Sequence, residues 1–190
     1  VGEMNRGWQI AQTTLGYERG GNILSRVTRM TAQYTRLLQV VGTLKKNGRP
    51  AIEDPITRQR LGQLAVEIET LRAAGLRLLS SLEKGRRPGP ESSIAKLSYS
   101  EQNKRSQELI QEILGPYGQI QHGLPPELAY ATDDLDETTW ALTFTSSRSG
   151  TIAAGSSEIQ KNIIGERVLG LPKEPGDNRN VPFSDLPKNA

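Results

Sequence analysis

The stretch ILSRVTRMTAQYTRLLQVVGTL, from Ile23 to Leu44, decides the fold. Its apolar residues Ile23, Leu24, Val27, Met30, Tyr34, Leu37, Leu38, Val41 and Leu44 recur every three or four positions. That spacing puts them on one face of a long amphipathic helix, whereas a strand would alternate with period two. The segment KKNGRP (45–50) ends the helix, with lysines where the helix end is negative, followed by Gly48 and Pro50.

Downstream, Asp54-Pro55 pairs a capping residue with a proline at the first helical position. Ile56, Leu61, Leu64, Ala65, Ile68, Leu71, Leu78, Leu79 and Leu82 then mark a second long helix, which Gly75 interrupts without breaking. After the basic turn EKGRRPGP, a third helix is expected from Ser92 to Leu114, with Ile94, Leu97, Leu109, Ile110, Ile113 and Leu114 as core contacts. Its middle, SEQNKRSQE, is polar on every side. It reads as a solvated segment, or as a surface for a partner subunit or a polar ligand. GPYGQIQHGLPPE is a loop, and DDLDETTWALTFTSS a fourth helix with acids at its positive end. The last helix is expected from about Ser156 to Leu169. Together these predict an all-α, up-and-down bundle of four to five helices over residues 1–172, with an irregular polar tail at 173–190.

Composition narrows the function. There is no cysteine, which excludes thiol catalysis and thiolate metal sites, and the single His122 cannot build a histidine metal site. The 24 basic and 21 acidic residues are mixed along the chain, so the excess of +3 does not argue for nucleic acid. No apolar run reaches the roughly 20 residues of a membrane span, and a cytoplasmic location is the default. The opening VGEMNRGWQIAQTTLG has no start-like character and is expected to continue from further chain. No phosphate-cradling glycine pattern is present. Residue physics alone therefore reaches a helical bundle and stops.

Three segments in order carry a resemblance: VGEMNRGWQIAQTTLGYERGG, SSIAKLSYSEQNKRSQELIQEILGPYG and AAGSSEIQKNIIGERVLGLP. They resemble the C-terminal helical domain of the flavin-dependent acyl-CoA dehydrogenases. The third segment is the most specific, because its small-small-Glu-Ile-Gln run and Glu166-Arg167-Val168-Leu169-Gly170 occur together. The resemblance implies α,β-dehydrogenation of an acyl-CoA thioester, with FAD as cofactor and a homo- or hetero-tetrameric assembly. Electron-transfer flavoprotein is the implied acceptor. Such chemistry needs a carboxylate of raised pKa near the α-carbon and a polarised thioester carbonyl.

In many members of that family the base precedes the glycine of a Glu-Gly-Thr turn. The matching residue here is Ala154, whose methyl accepts no proton. The isovaleryl- and long-chain-type members supply the carboxylate from an earlier helix, just before an arginine, and the matching residues are Glu18 and Arg19. The resemblance therefore makes Glu18 the candidate base. It makes Gly155 the close approach to the thioester, and Ser156, Glu158 and Gly115 cofactor contacts. Three departures are visible, one of them GPYG at 115–118 where the family has Gly-Gly-Asn-Gly. Where the family has an Arg-x-x-Phe-Gly element reaching a neighbouring subunit's flavin, this chain has Leu44 and Asn47. Where the family has a glutamine before the Gly-rich turn, it has Glu112, an acid that a neighbour such as Lys46 must offset near a pyrophosphate. The resemblance also implies that this domain by itself is catalytically silent. The alternative reading is a degenerate partner subunit that stabilises an active homologue.

Overall fold

The three periodic apolar faces become α1 (Ile23–Thr43), α2 (Pro55–Glu83) and α3 (Ser92–Leu114), followed by the shorter α4 (Trp140–Ser147) and α5 (Ser157–Ile163). The computed structural model describes residues 2–11, 13–14, 22–86, 89–130, 138–173 and 181–186. Residues 7–11 are also helical. Short connections fold α1, α2 and α3 up and down against one another, as the sequence predicts. α3 additionally receives α4 and α5, which makes it the hub of the bundle.

The core runs through Val27, Leu37, Val41, Leu71, Ile110 and Leu114, all almost fully buried. At the top of α2, Gly75 lets α1 come close. A methyl group there would lie 2.9 Å from Leu24 Cδ2 and 3.2 Å from Ile23 Cγ2. The residue that interrupts the apolar pattern is thus the one that seats the first turn of α1. Asp54 starts α2, its Oδ2 accepting from Thr57 N at 3.0 Å and from Thr57 Oγ1 at 2.7 Å.

Several expectations need correction. KKNGRP does more than end a helix. It forms a hairpin, β1 (Lys45–Lys46) with β2 (Arg49–Pro50), around Asn47 at φ 54 and Gly48 at φ 80. Two successive left-handed residues are what a type I′ turn requires, and Asn-Gly is its strongest sequence signal. Leu38, Ile56, Leu79 and Ile94 are exposed, not core. On α3 the buried face holds Ser92, Ser93, Ala95, Lys96 and Ser100 instead of Ile94.

The polar middle of α3 is solvated on one side only, where Arg105 is exposed and Asn103 and Lys104 are half-buried. Gln102, Ser106 and Gln107 are buried inside the chain's own bundle. Gln107 donates to Gln33 Oε1 at 2.8 Å, and Gln33 returns a bond to Gln107 Oε1 at 3.3 Å.

α4 starts later than the acidic run suggests. Residues 138–139 are not helical, and Thr139 caps the helix by accepting from Leu142 N at 3.1 Å. The acids at 133–137 lie outside the described residues. Trp140 is fully buried, donates from Nε1 to Leu128 O at 2.8 Å, and meets Tyr130 edge-on with centroids 4.8 Å apart. α5 gives way to one wide π-helical turn at Ile164–Val168, closed by Leu169 N donating to Ile164 O at 3.0 Å. In the tail, Phe183–Asp185 form a 3-10 turn. Among the described residues no helix is long and apolar enough to cross a membrane.

Candidate functional site

The chain enters α5 through Ala153, Ala154, Gly155 and Ser156, and this turn is strained. Gly155 sits at φ 97 and Ala154 at φ 56. A residue with a Cβ in the left-handed region costs about 1–2 kcal/mol. Such a conformation persists only where the surroundings over-determine it.

Here the surroundings come from α3 and α5. Lys96 is only 4% exposed, and its Nζ donates to Gly155 O at 2.6 Å. The fully buried Gln160 donates from Nε2 to Ala154 O at 3.1 Å and to Gly155 O at 3.3 Å. Two residues beyond Gly155, Ser157 Oγ donates to Glu101 Oε1 at 2.6 Å, tying the start of α5 to α3 again. Both turn carbonyls therefore point inward. The N–H of a trans peptide points opposite to its C=O, so the amides of Gly155 and Ser156 face away from Lys96 and Gln160. Among the described residues neither amide donates a hydrogen bond.

Ser156 caps α5 with φ −60 and ψ 163, its Oγ accepting a long bond from Ile159 N at 3.4 Å. Glu158 is exposed in the first turn. Its own backbone N–H, then the Ser156 hydroxyl, hold its carboxyl below the usual range, with Lys161 and Lys96 adding attraction. The structure thus brings Gly155, Ser156 and Glu158 together, as their sequence spacing requires.

Gly115 lies elsewhere. It terminates α3 at φ 55 and ψ −128, a conformation open essentially to glycine. Along α3 it is about 28 Å from Lys96 at 1.5 Å of rise per residue. A cavity of ≈ 90 Å³ marks that end of the bundle, lined by Lys46, Thr57, Arg60 and Glu112 among others. The expected offset of Glu112 by Lys46 is corrected. Glu112 pairs with Arg60, which holds the Glu112 carboxyl below its ordinary value, while Lys46 pairs with Asp54 at 3.2 Å. Glu18 and Arg19 lie outside the described residues.

Lys96, Gln160, Glu101 and Ser157 escaped the sequence reading as site residues. The available signal was a lysine set among small residues (Ser92, Ser93, Ala95, Ser100) on a face that should otherwise be apolar. Among the described residues no group of three or more His, Cys, Asp or Glu could hold a metal ion.

The family model of the acyl-CoA dehydrogenase C-terminal domain matches residues 5–169. The chain belongs to the acyl-CoA dehydrogenase family. This acyl-CoA dehydrogenase domain is 31% identical to acyl-CoA dehydrogenase IpdE1 of Mycolicibacterium smegmatis over 174 residues, which is 92% of this chain and 39% of that protein. It thus spans about two fifths of the length of the relative it matches. Among solved structures it is similar to the FAD complex of PigA, with TM-score 0.72 and 19% identity, over 90% of this chain and 40% of that one. It is similar too to the ChsE4–ChsE5 complex from Mycobacterium tuberculosis, with TM-score 0.70 and 24% identity, over 92% of this chain and 43% of that one. At these identities the structural likeness establishes the fold of the domain.

Proposed function

We propose that this domain forms one wall of the site of an FAD-dependent acyl-CoA dehydrogenase acting on a CH–CH bond of an acyl-CoA thioester. The observation that carries the reading is the build of the 154–156 turn within a chain of this family. The turn is strained, pinned from behind by buried donors, and bare of any acid or base on its own side chains.

A turn that positions but cannot accept a proton needs its base from elsewhere. Glu18 is that base in this reading, taking the α-proton of the thioester onto its carboxylate. Gly155, lacking a Cβ, lets the thioester approach the backbone. A bound FAD would supply the acceptor for the β-hydrogen, which leaves as hydride. Ser156 and Glu158 supply a hydroxyl and a charged carboxylate for the polar groups of the flavin. Gly115 and the hairpin end are too far along α3 to serve the same flavin ring. Their separation supports a role toward the flavin of a neighbouring subunit. Arg60 neutralises Glu112 there, so that acid does not by itself repel an anionic cofactor. Ile152, two residues before Ala154 and 70% exposed, supports further protein mass beside the turn, and Leu169 and Leu171, 66% and 56% exposed, support it beyond the far end of α5. A homo- or hetero-tetramer, an electron-transfer flavoprotein as acceptor and a cytoplasmic setting complete the reading.

The test is Glu18→Gln in the intact flavoprotein, with anaerobic flavin bleaching followed on adding straight-chain, branched and steroid side-chain acyl-CoA thioesters. Loss of an essential general base costs about 10²–10⁴-fold in the bleaching rate. An unchanged rate removes Glu18 from the mechanism.

A second reading is favoured by Ala154 and by the likeness to ChsE4–ChsE5, a complex of two differently named chains. In it this chain is a catalytically degenerate partner that stabilises an active homologue. Flavin retained only in the presence of a second, paralogous subunit, with bleaching indifferent to Glu18→Gln, would select this reading.

A further inference from the structure

The strained turn and its buried lysine belong together. Ala154 holds a backbone conformation that alanine avoids, and no polar group of its own compensates. The three hydrogen bonds from Lys96 and Gln160 converge on two successive carbonyls, Ala154 O and Gly155 O. Lys96 comes from α3 and Gln160 from α5, so the clamp ties the turn to two different elements. Burying a lysine is costly, and such a group is retained where its hydrogen bonds serve a defined geometry. Its neighbours on α3, Ser92, Ser93, Ala95 and Ser100, are small and buried.

We propose that Lys96 is the positioning residue of the site. Its ammonium, with the Gln160 amide, fixes the peptide planes at 154–155 and so the backbone that borders the acyl thioester. The inference rests on the dehydrogenase reading above and extends it to residues that the chemistry itself does not touch. A group acting through another in this way should change how fast bound substrate reacts more than how tightly substrate binds, because a misplaced backbone spoils reactive geometry first.

The experiment uses the intact flavoprotein with Lys96→Met and Lys96→Arg. Hydrogen–deuterium exchange reads the hydrogen-bonded amides that flank the turn, Ala153, Ile159 and Gln160, against α1 as an internal control. Stopped-flow bleaching with the same thioester panel reads the limiting rate and the half-saturating concentration separately.

In Lys96→Met, exchange at these flanking amides of the turn is expected to rise about tenfold with α1 unchanged. The limiting bleaching rate is expected to fall about 10–100-fold, with little change in half-saturation, and Lys96→Arg should recover part of it. Two results overturn the proposal: unchanged exchange at the turn, or raised exchange with an unchanged limiting rate. Should Lys96→Met fail to fold, Gln160→Met removes the other donor at similar volume, and the same two results there overturn it. A wild type that bleaches with none of the thioesters overturns the dehydrogenase reading and the lysine's part in it. The exchange comparison needs no turnover, so it separates that failure from failure of the clamp itself.

Discussion

At Ala154 and Asp54 single side chains decide how two helices begin, and they do so by opposite means. Ala154 contributes no polar atom, so its strained backbone depends on donors from elsewhere. Asp54 supplies its own acceptor. Its Oδ2 takes bonds from the Thr57 hydroxyl, the Thr57 amide and Lys46, and these hold its carboxyl below the ordinary value of 3.8. A carboxylate whose folded pKa is depressed stabilises the fold fully above its unfolded pKa. It loses that contribution as pH falls through the folded value. Asp54→Ala is therefore expected to lower the melting temperature by about 2–4 °C near neutrality. The gap between mutant and wild type should close as pH drops below 3.8 and through the depressed value. Melts of both proteins across that range check it. Comparing the pair cancels Glu112 and Glu158, which are shifted in the same direction. A gap that persists in acid would show that the cap is not acting through its charge.

Between elements, the α1–α3 contact rests on an amide pair as well as on apolar packing. Gln33 and Gln107 exchange two hydrogen bonds in a buried setting, which satisfies both amides and disfavours sliding one helix along the other. Replacing one partner strands the other. Gln33→Leu is expected to cost about 1–3 kcal/mol, whereas Gln33→Leu with Gln107→Leu should recover most of that loss. Urea unfolding of both single variants and the double variant measures the coupling, and simple additivity would refute it. This pair also shows what the sequence could and could not carry. The long helices α1 and α2 were legible because Val27, Leu37, Val41, Leu61 and Leu71 repeat at helical period. The buried polar face of α3 was not, because Ser100 to Glu108 has no apolar period, and only long-range partners 74 residues away show which amides are satisfied. The same holds at the site. Ser156 and Glu158 could be located from a local motif, while Lys96 became visible only once α3 and the turn were brought together, 59 residues apart in sequence. The Asn47-Gly48 hairpin was legible in principle, since its turn chemistry is local.

For the whole molecule, the distribution of contacts predicts what this domain does by itself. α3 ties α1, α2, α4 and α5 into one body with its own core, so the 190 residues should fold without further chain. Catalysis is a different demand. Ala154, Gly155 and Ser156 are only half-buried, and Ile152 and Ala153 just before them stand in solvent. A general base facing water keeps an ordinary carboxylate pKa, and an enolate-like charge there is not developed in a dry, preorganised setting. The domain also spans only about two fifths of its relative IpdE1. Produced alone, it is therefore expected to give a helical circular-dichroism spectrum and a cooperative melt, yet to leave added FAD unbleached by any acyl-CoA thioester. Joined to protein that covers the turn and encloses the flavin, the same residues should support bleaching that depends on Glu18. Turnover by the 190 residues alone would mean that the turn, its lysine clamp and Glu18 suffice without shielding from water. The half-open geometry around Gly155 argues against that outcome, because among the described residues the turn stays partly exposed and a substrate carbon beside it would meet solvent.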